Sequence, residues 1–227
     1  MTTTVAPHDA SVPVRRPFTA VLWLCWVVAA IFSEALNIRA ETWYSNLYED
    51  AVDDAFGNAL LLLDIKSIIV PIAATAQWLV LRKALPELSW GLWLLAAGAA
   101  ALSMVLTFLL WGSFASGLPT AFAFATWLVL SAAANAIVLA FALGWGAGQW
   151  PRAFVYCSVL AAVVTAPLYL AVEFSSLIPR GPSSLNVVGH ETGMITLNLS
   201  LKLAAVALGA SISGYGLRLF FRGDAEA

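Results

Sequence analysis

Five ionisable residues stand inside, or at the ends of, long apolar runs: Glu34, Asp64, Lys66, Glu173 and Lys202. An ionised group near the centre of a membrane helix costs at least about 2.5 kcal/mol, so such residues mark an ion or ligand pathway, a bound counter-charge or an ion pair. At about 1.5 Å of rise per residue, Asp64 lies about 7 Å from the outer end of its span, Lys66 about 10 Å and Lys202 about 12 Å. Glu34 and Glu173 stand at the outer ends of theirs. All five therefore gather in one half of the membrane, and the other half carries almost no charge. The chemistry this suggests is binding or conduction of a small polar ligand, an ion or a proton. A structural reading competes with it, in which Lys66 and Lys202 snorkel outward, Glu34 and Glu173 reach the headgroups, and only Asp64 needs a partner.

Catalysis is harder to assemble from these residues. The carboxylates Glu34, Asp64 and Glu173 are the available acids and bases, and they fall in no recognisable catalytic pattern. No Ser, His and Asp arrangement, phosphate loop or pair of haem-ligating histidines within the spans is visible. His190-Glu191 lacks a second His at metal-ligand spacing. The expectation is a non-enzyme with no cofactor and no metal.

The elements that must hold these side chains are apolar helices. The chain of 227 residues is 61% hydrophobic and only 11% charged, too apolar and too poor in charge for a water-soluble domain. A bilayer core of about 30 Å needs roughly 20 apolar residues in a helix whose backbone polar groups are satisfied within the segment. Six segments meet that requirement: Phe18 to Leu36, Ala59 to Leu81, Ser89 to Trp111, Ala121 to Trp145, Ala153 to Val172 and Met194 to Leu219. The expected fold is all-α, a polytopic transmembrane bundle of six helices over residues 18–221, with cytoplasmic tails at 1–17 and 222–227. Net charge of −2 sets nucleic acid aside as a partner. Cys25 and Cys157, each within an apolar run, read as small packing residues.

Orientation follows from basic residues in short loops. With the N-terminus inside, Arg15, Arg16, Arg82, Lys83, Arg152, Arg218 and Arg222 are cytoplasmic, and only Arg39 and Arg180 lie outside. Trp78, Trp90, Trp93, Trp145 and Trp150 then form a belt at the inner interface. Arg15-Arg16 before the first span has the look of a twin-arginine export signal, but five further spans make it a signal anchor.

Three stretches at the cytoplasmic side are alike: Gln77-Trp78-Leu79-Val80-Leu81-Arg82, Gln149-Trp150-Pro151-Arg152 and Tyr215-Gly216-Leu217-Arg218, roughly 70 residues apart. The period suggests three pseudo-repeated helical hairpins. In this register Asp64 and Lys202 each precede their copy by thirteen residues, so an interhelical ion pair between them is expected. The matching place on the fourth span is Ala136, beside Asn135. Lys66 is about 200° round the helix from Asp64, so one partner cannot serve both. Gly144, Gly146, Gly148, Gly209, Ser213 and Gly214 read as close-approach positions, and Pro71 and Pro167 as kinks.

Carried on Gln77 to Arg82 in full and Gln149 to Arg152 in part, the sequence resembles a loose group of uncharacterised bacterial multipass proteins with a repeated Gln-Trp-Leu-Val-Leu-Arg element at helix ends. The resemblance implies a bacterial inner-membrane protein and an architecture, and no activity. Between the first two spans, residues 37–57 carry Tyr44, Tyr48, Val52 and Phe56 at a spacing of four, suggesting a short amphipathic helix on the outer surface. Its acidic residues Glu49, Asp50, Asp53 and Asp54 offer a docking face to a basic partner. Two functions follow: an outward-facing polar cluster that binds or translocates a small polar ligand or ion, or a non-catalytic accessory subunit docking through the acidic loop to other membrane subunits. The lipid bilayer is the partner in both.

Overall fold

The computed structural model describes residues 16–47, 55–114, 120–175 and 187–222. They form six α-helices in chain order: α1 (Ala20–Leu47), α2 (Ala55–Ala84), α3 (Trp90–Phe114), α4 (Thr120–Ala147), α5 (Arg152–Ser175) and α6 (Val187–Arg222). Each contains a span long and apolar enough to cross a membrane, at Ala20–Ala40, Leu63–Ala84, Trp90–Trp111, Ala121–Trp145, Arg152–Val172 and Leu199–Arg222. These coincide with the six segments expected from hydropathy.

The helix ends at the side of the two chain termini have local causes. Thr19 Oγ1 accepts from the Leu22 N–H at 3.3 Å and opens α1; Ser89 Oγ accepts from the Leu92 N–H at 3.4 Å and opens α3, each satisfying a donor the first turn leaves unpaired. Arg82 and Lys83 in the last turn of α2 complement its negative end. Gly148, with φ of +70°, stops α4. Pro151 follows, and its carbonyl accepts from the Val155 N–H as α5 begins.

Packing runs round a ring. Each helix packs against its chain neighbours, and α6 closes on α1. The contacts are antiparallel: Ser103 with Asn135 and Thr107 with Ser131 between α3 and α4, and Trp23 with Ser211 between α1 and α6. Outward faces carry large apolar side chains, for example Leu95, Leu102, Leu106 and Leu110 on α3. In water such a surface would drive aggregation; against lipid tails it is solvated.

One expectation needs correcting. The segment 37–57 is not a separate helix in its described part, because α1 runs on to Leu47 and α2 starts at Ala55. A helix ladder already under way continues at one hydrogen bond per residue, whereas a new helix must be nucleated. The second copy of the repeated element directly follows α4, where Gly148 stops the helix and Gln149 and Trp150 fall in the turn to α5, while the other two copies lie inside α2 and α6.

Candidate functional site

The ring encloses a cavity of about 720 Å³ to which all six helices contribute. Helical periodicity explains the lining. On α1 it is Trp26, Ala30, Glu34 and Asn37; on α4 it includes Phe124, Ser131, Ala132 and Asn135; on α5 it includes Ser158, Thr165 and Tyr169, steps of three, four or seven that keep one face inward. Lys66 and Gln77 come from α2, Met104 from α3, and Lys202 and Ser213 from α6.

Height within the ring sorts these groups into layers. Counted from the terminal end of each helix at about 1.5 Å per residue, Glu34, Asn37, Lys66, Tyr169, Trp127 and Lys202 stand about 21 to 30 Å along. Trp26, Gln77, Ser158 and Ser213 stand about 9 to 14 Å along. Alanines 30, 132, 136, 161, 162 and 205 occupy much of the wall. The charged layer is thus at the end remote from the chain termini.

The terminal end is closed by apolar packing. Leu81, Leu85, Leu88, Trp93, Leu143 and Leu217 are fully or almost fully buried there, within one cluster that includes Phe18, Phe220 and Phe221. Phe18 and Phe221 stack with ring centroids 5.9 Å apart, joining the start of the first helix to the end of the last. Trp78 braces the same end through Nε1–H to the Leu88 carbonyl at 2.8 Å, with the Arg82 guanidinium 4.6 Å from its ring centroid, a cation–π contact.

Of the residues singled out in the sequence, Glu34, Lys66 and Lys202 line the cavity. The Lys66 ammonium donates to Asn37 Oδ1 at 2.6 Å, a short charge-assisted bond. Asp64 is exposed on the outer surface of the ring and is not part of the lining. The expected Asp64–Lys202 ion pair is therefore not formed: the two residues 64 and 66 point to nearly opposite sides of α2, and the one that faces inward is the lysine. Glu173 belongs to the last turn of α5, next to Val172, which lines the cavity; its side chain lies outside the described residues. Glu49, Asp50, Asp53 and Asp54 also lie outside them.

Uncharged polar residues were the part of the lining that charge counting missed. Asn37, Ser131 and Thr165 are buried at 7%, 5% and 5% exposure, and each has its polar atom engaged. Ser131 Oγ pairs with Thr107 Oγ1 at 2.8 Å, and Thr165 Oγ1 donates to the Ala161 carbonyl at 2.8 Å. Ser131 and Asn135 at i, i+4 carried the available signal. Among the described residues no three of His, Cys, Asp and Glu converge at a spacing that could hold a metal ion. Compared with known protein families, curated proteins and solved structures, the chain matches none.

Chemically, the arrangement offers two ammonium groups and one carboxylate inside an apolar ring, where water does not screen them as it does at a surface. Such a layer can attract and orient a charged group brought to it. No nucleophile with an adjacent base is present in the described lining.

Proposed function

We propose that the chain is a membrane receptor for a small ligand with a polar head, bound in the lumen of the six-helix ring and entering from the outer face. The observation that carries this reading is the cavity of about 720 Å³, charged at one end by Glu34, Lys66 and Lys202 and closed at the other by apolar side chains. Its volume is that of small-molecule sites, and a mostly apolar wall with a few placed polar groups is their usual chemistry. The excess of Arg and Lys on the terminal side supports placing that end in the cytoplasm, so the charged layer faces outward. A one-ended lumen favours capture over free conduction, since an ion would meet the Leu81, Leu143 and Leu217 seal. Translocation would then require the seal to open or a partner to open it, as in a substrate-capturing component of a larger importer, a comparison resting on helix count and size alone. The accessory-subunit reading draws its support from the composition of residues 49–54.

Native mass spectrometry of the detergent-extracted chain tests the proposal. The expected spectrum shows a small-molecule adduct released on collisional activation and lost in Lys202→Met. A spectrum with a stoichiometric second protein chain and no small molecule would overturn the receptor reading in favour of the accessory one.

A further inference from the structure

The chemistry of the lumen narrows its ligand, on the basis of the receptor reading above. We infer that it takes an amphipathic monocarboxylate with a flat ring-bearing body, the carboxylate meeting Lys202 and the body lying along the alanine wall.

Charge is the first argument. Counted over the described side chains, the polar layer holds two ammonium groups against one carboxylate, an excess of a single positive charge. Lys66 is engaged by Asn37 Oδ1 at 2.6 Å. Lys202 is half-buried, lines the cavity and makes no hydrogen bond or ion pair among the described residues. A cation held in an apolar ring is stabilised by an anion brought to it. An ammonium group in the lumen wall with no partner among the described residues calls for an anionic head such as a carboxylate, and repels a cation.

The walls decide the body. Between the charged layer and the floor, Ala30, Ala132, Ala136, Ala161 and Ala205 present no polar side-chain atom, and the Ser131, Thr165 and Ser213 hydroxyls are already engaged, which leaves Gln77, Asn135 and Ser158 as polar partners, too few for the several hydroxyls of a sugar or polyol. Small side chains leave width, and Phe124, Trp127 and Tyr169 at the top with Trp26 and Phe154 lower down supply aromatic surfaces. Aromatic faces and edges favour a ring over a branched or purely linear chain. The packing of α6 on α1 completes the ring of helices around the lumen.

Isothermal titration calorimetry on the purified full chain, blanked against empty micelles, tests this with four probes: 2-naphthylacetate, 2-(2-naphthyl)ethanol, 2-(2-naphthyl)ethylamine and octanoate. The acetate should bind at least about tenfold more tightly than each of the others. Lys202→Met should remove that preference while leaving the weak binding of the alcohol intact, which also shows that the variant is folded; Lys202→Arg should retain it, and Glu34→Gln should strengthen it. Equal binding of the alcohol or amine would overturn the carboxylate assignment, and equal binding of octanoate would replace the ring body with a fatty acid. Binding of none of the four would overturn the inference, while an adduct in the native spectrum would still uphold the receptor reading.

Discussion

At the scale of single residues, backbone approach and side-chain direction govern this protein more than side-chain identity does. Gly216 marks the tightest approach among the described glycines: a Cβ there would lie 2.7 Å from the Ala153 carbonyl oxygen and 2.7 Å from Cys157 Cβ. Backbone cannot retreat as a flexible side chain can, so Gly216→Ala should destabilise the folded protein by about 1–3 kcal/mol. Gly98→Ala, with nothing within 4 Å of the added methyl, should change stability by less than about 0.5 kcal/mol. Thermal unfolding of both variants in one detergent makes the comparison. The sequence pointed to close-approach glycines in the sixth span but not to this one, because spacing identifies a small-residue stripe and not which member meets a carbonyl. Direction was similarly half-legible. The angle between Asp64 and Lys66 showed that one must face away from the other, and only the packing of Ile65 and Ile69 inward decides that Lys66 shares the interior side with Asn37.

At the scale of helices, hydropathy located the six spans, since a bilayer imposes one length and one composition on every segment that crosses it. Helix length beyond the span was not legible. α6 has 36 residues, about 54 Å at 1.5 Å per residue, and its first turns are too polar to register as span. Which helices touch was also hidden, because lipid-facing and partner-facing residues are equally apolar. The seam between α1 and α6 is the clearest case. There Trp23 Nε1–H donates to the Ser211 carbonyl at 3.0 Å and Trp26 Nε1–H to Ser213 Oγ at 3.4 Å. Gly214 sits against both indoles, where a Cβ would lie 2.9 Å from Trp23 and 3.0 Å from Trp26. Hydrogen bonds between membrane helices contribute about 0.6 kcal/mol on average and up to about 1.7. Trp23→Phe should therefore cost more than Trp26→Phe, whose bond is longer, and the loss should fall within that range once the smaller ring is allowed for. Equilibrium unfolding in mixed micelles gives both values, and a larger loss for Trp26→Phe would contradict the seam as described.

At the scale of the whole molecule, the defining property is a ring with a lumen sealed at one end, and accessibility is what separates the receptor proposed above from a pore. The three-hairpin periodicity in the sequence said nothing of closure, which depends on the last helix returning to the first. Single cysteines placed in a Cys25→Ala, Cys157→Ala background report it directly. Ala132 lines the lumen, Leu143 is fully buried in the seal and Leu95 is 74% exposed on the outer surface of the ring. A charged, membrane-impermeant thiol reagent needs water to reach its target and a thiolate to react with. Added to right-side-out vesicles it should modify Ala132→Cys and leave both Leu143→Cys and Leu95→Cys untouched, the first shielded by packing and the second by lipid. Added to inverted vesicles it should modify none of the three, because the cluster from Phe18 to Phe221 stands between that face and the lumen. Modification of Ala132→Cys from both faces would mean a continuous aqueous path and would replace the receptor with a channel; modification only in inverted vesicles would reverse the orientation drawn from the arginine and lysine count.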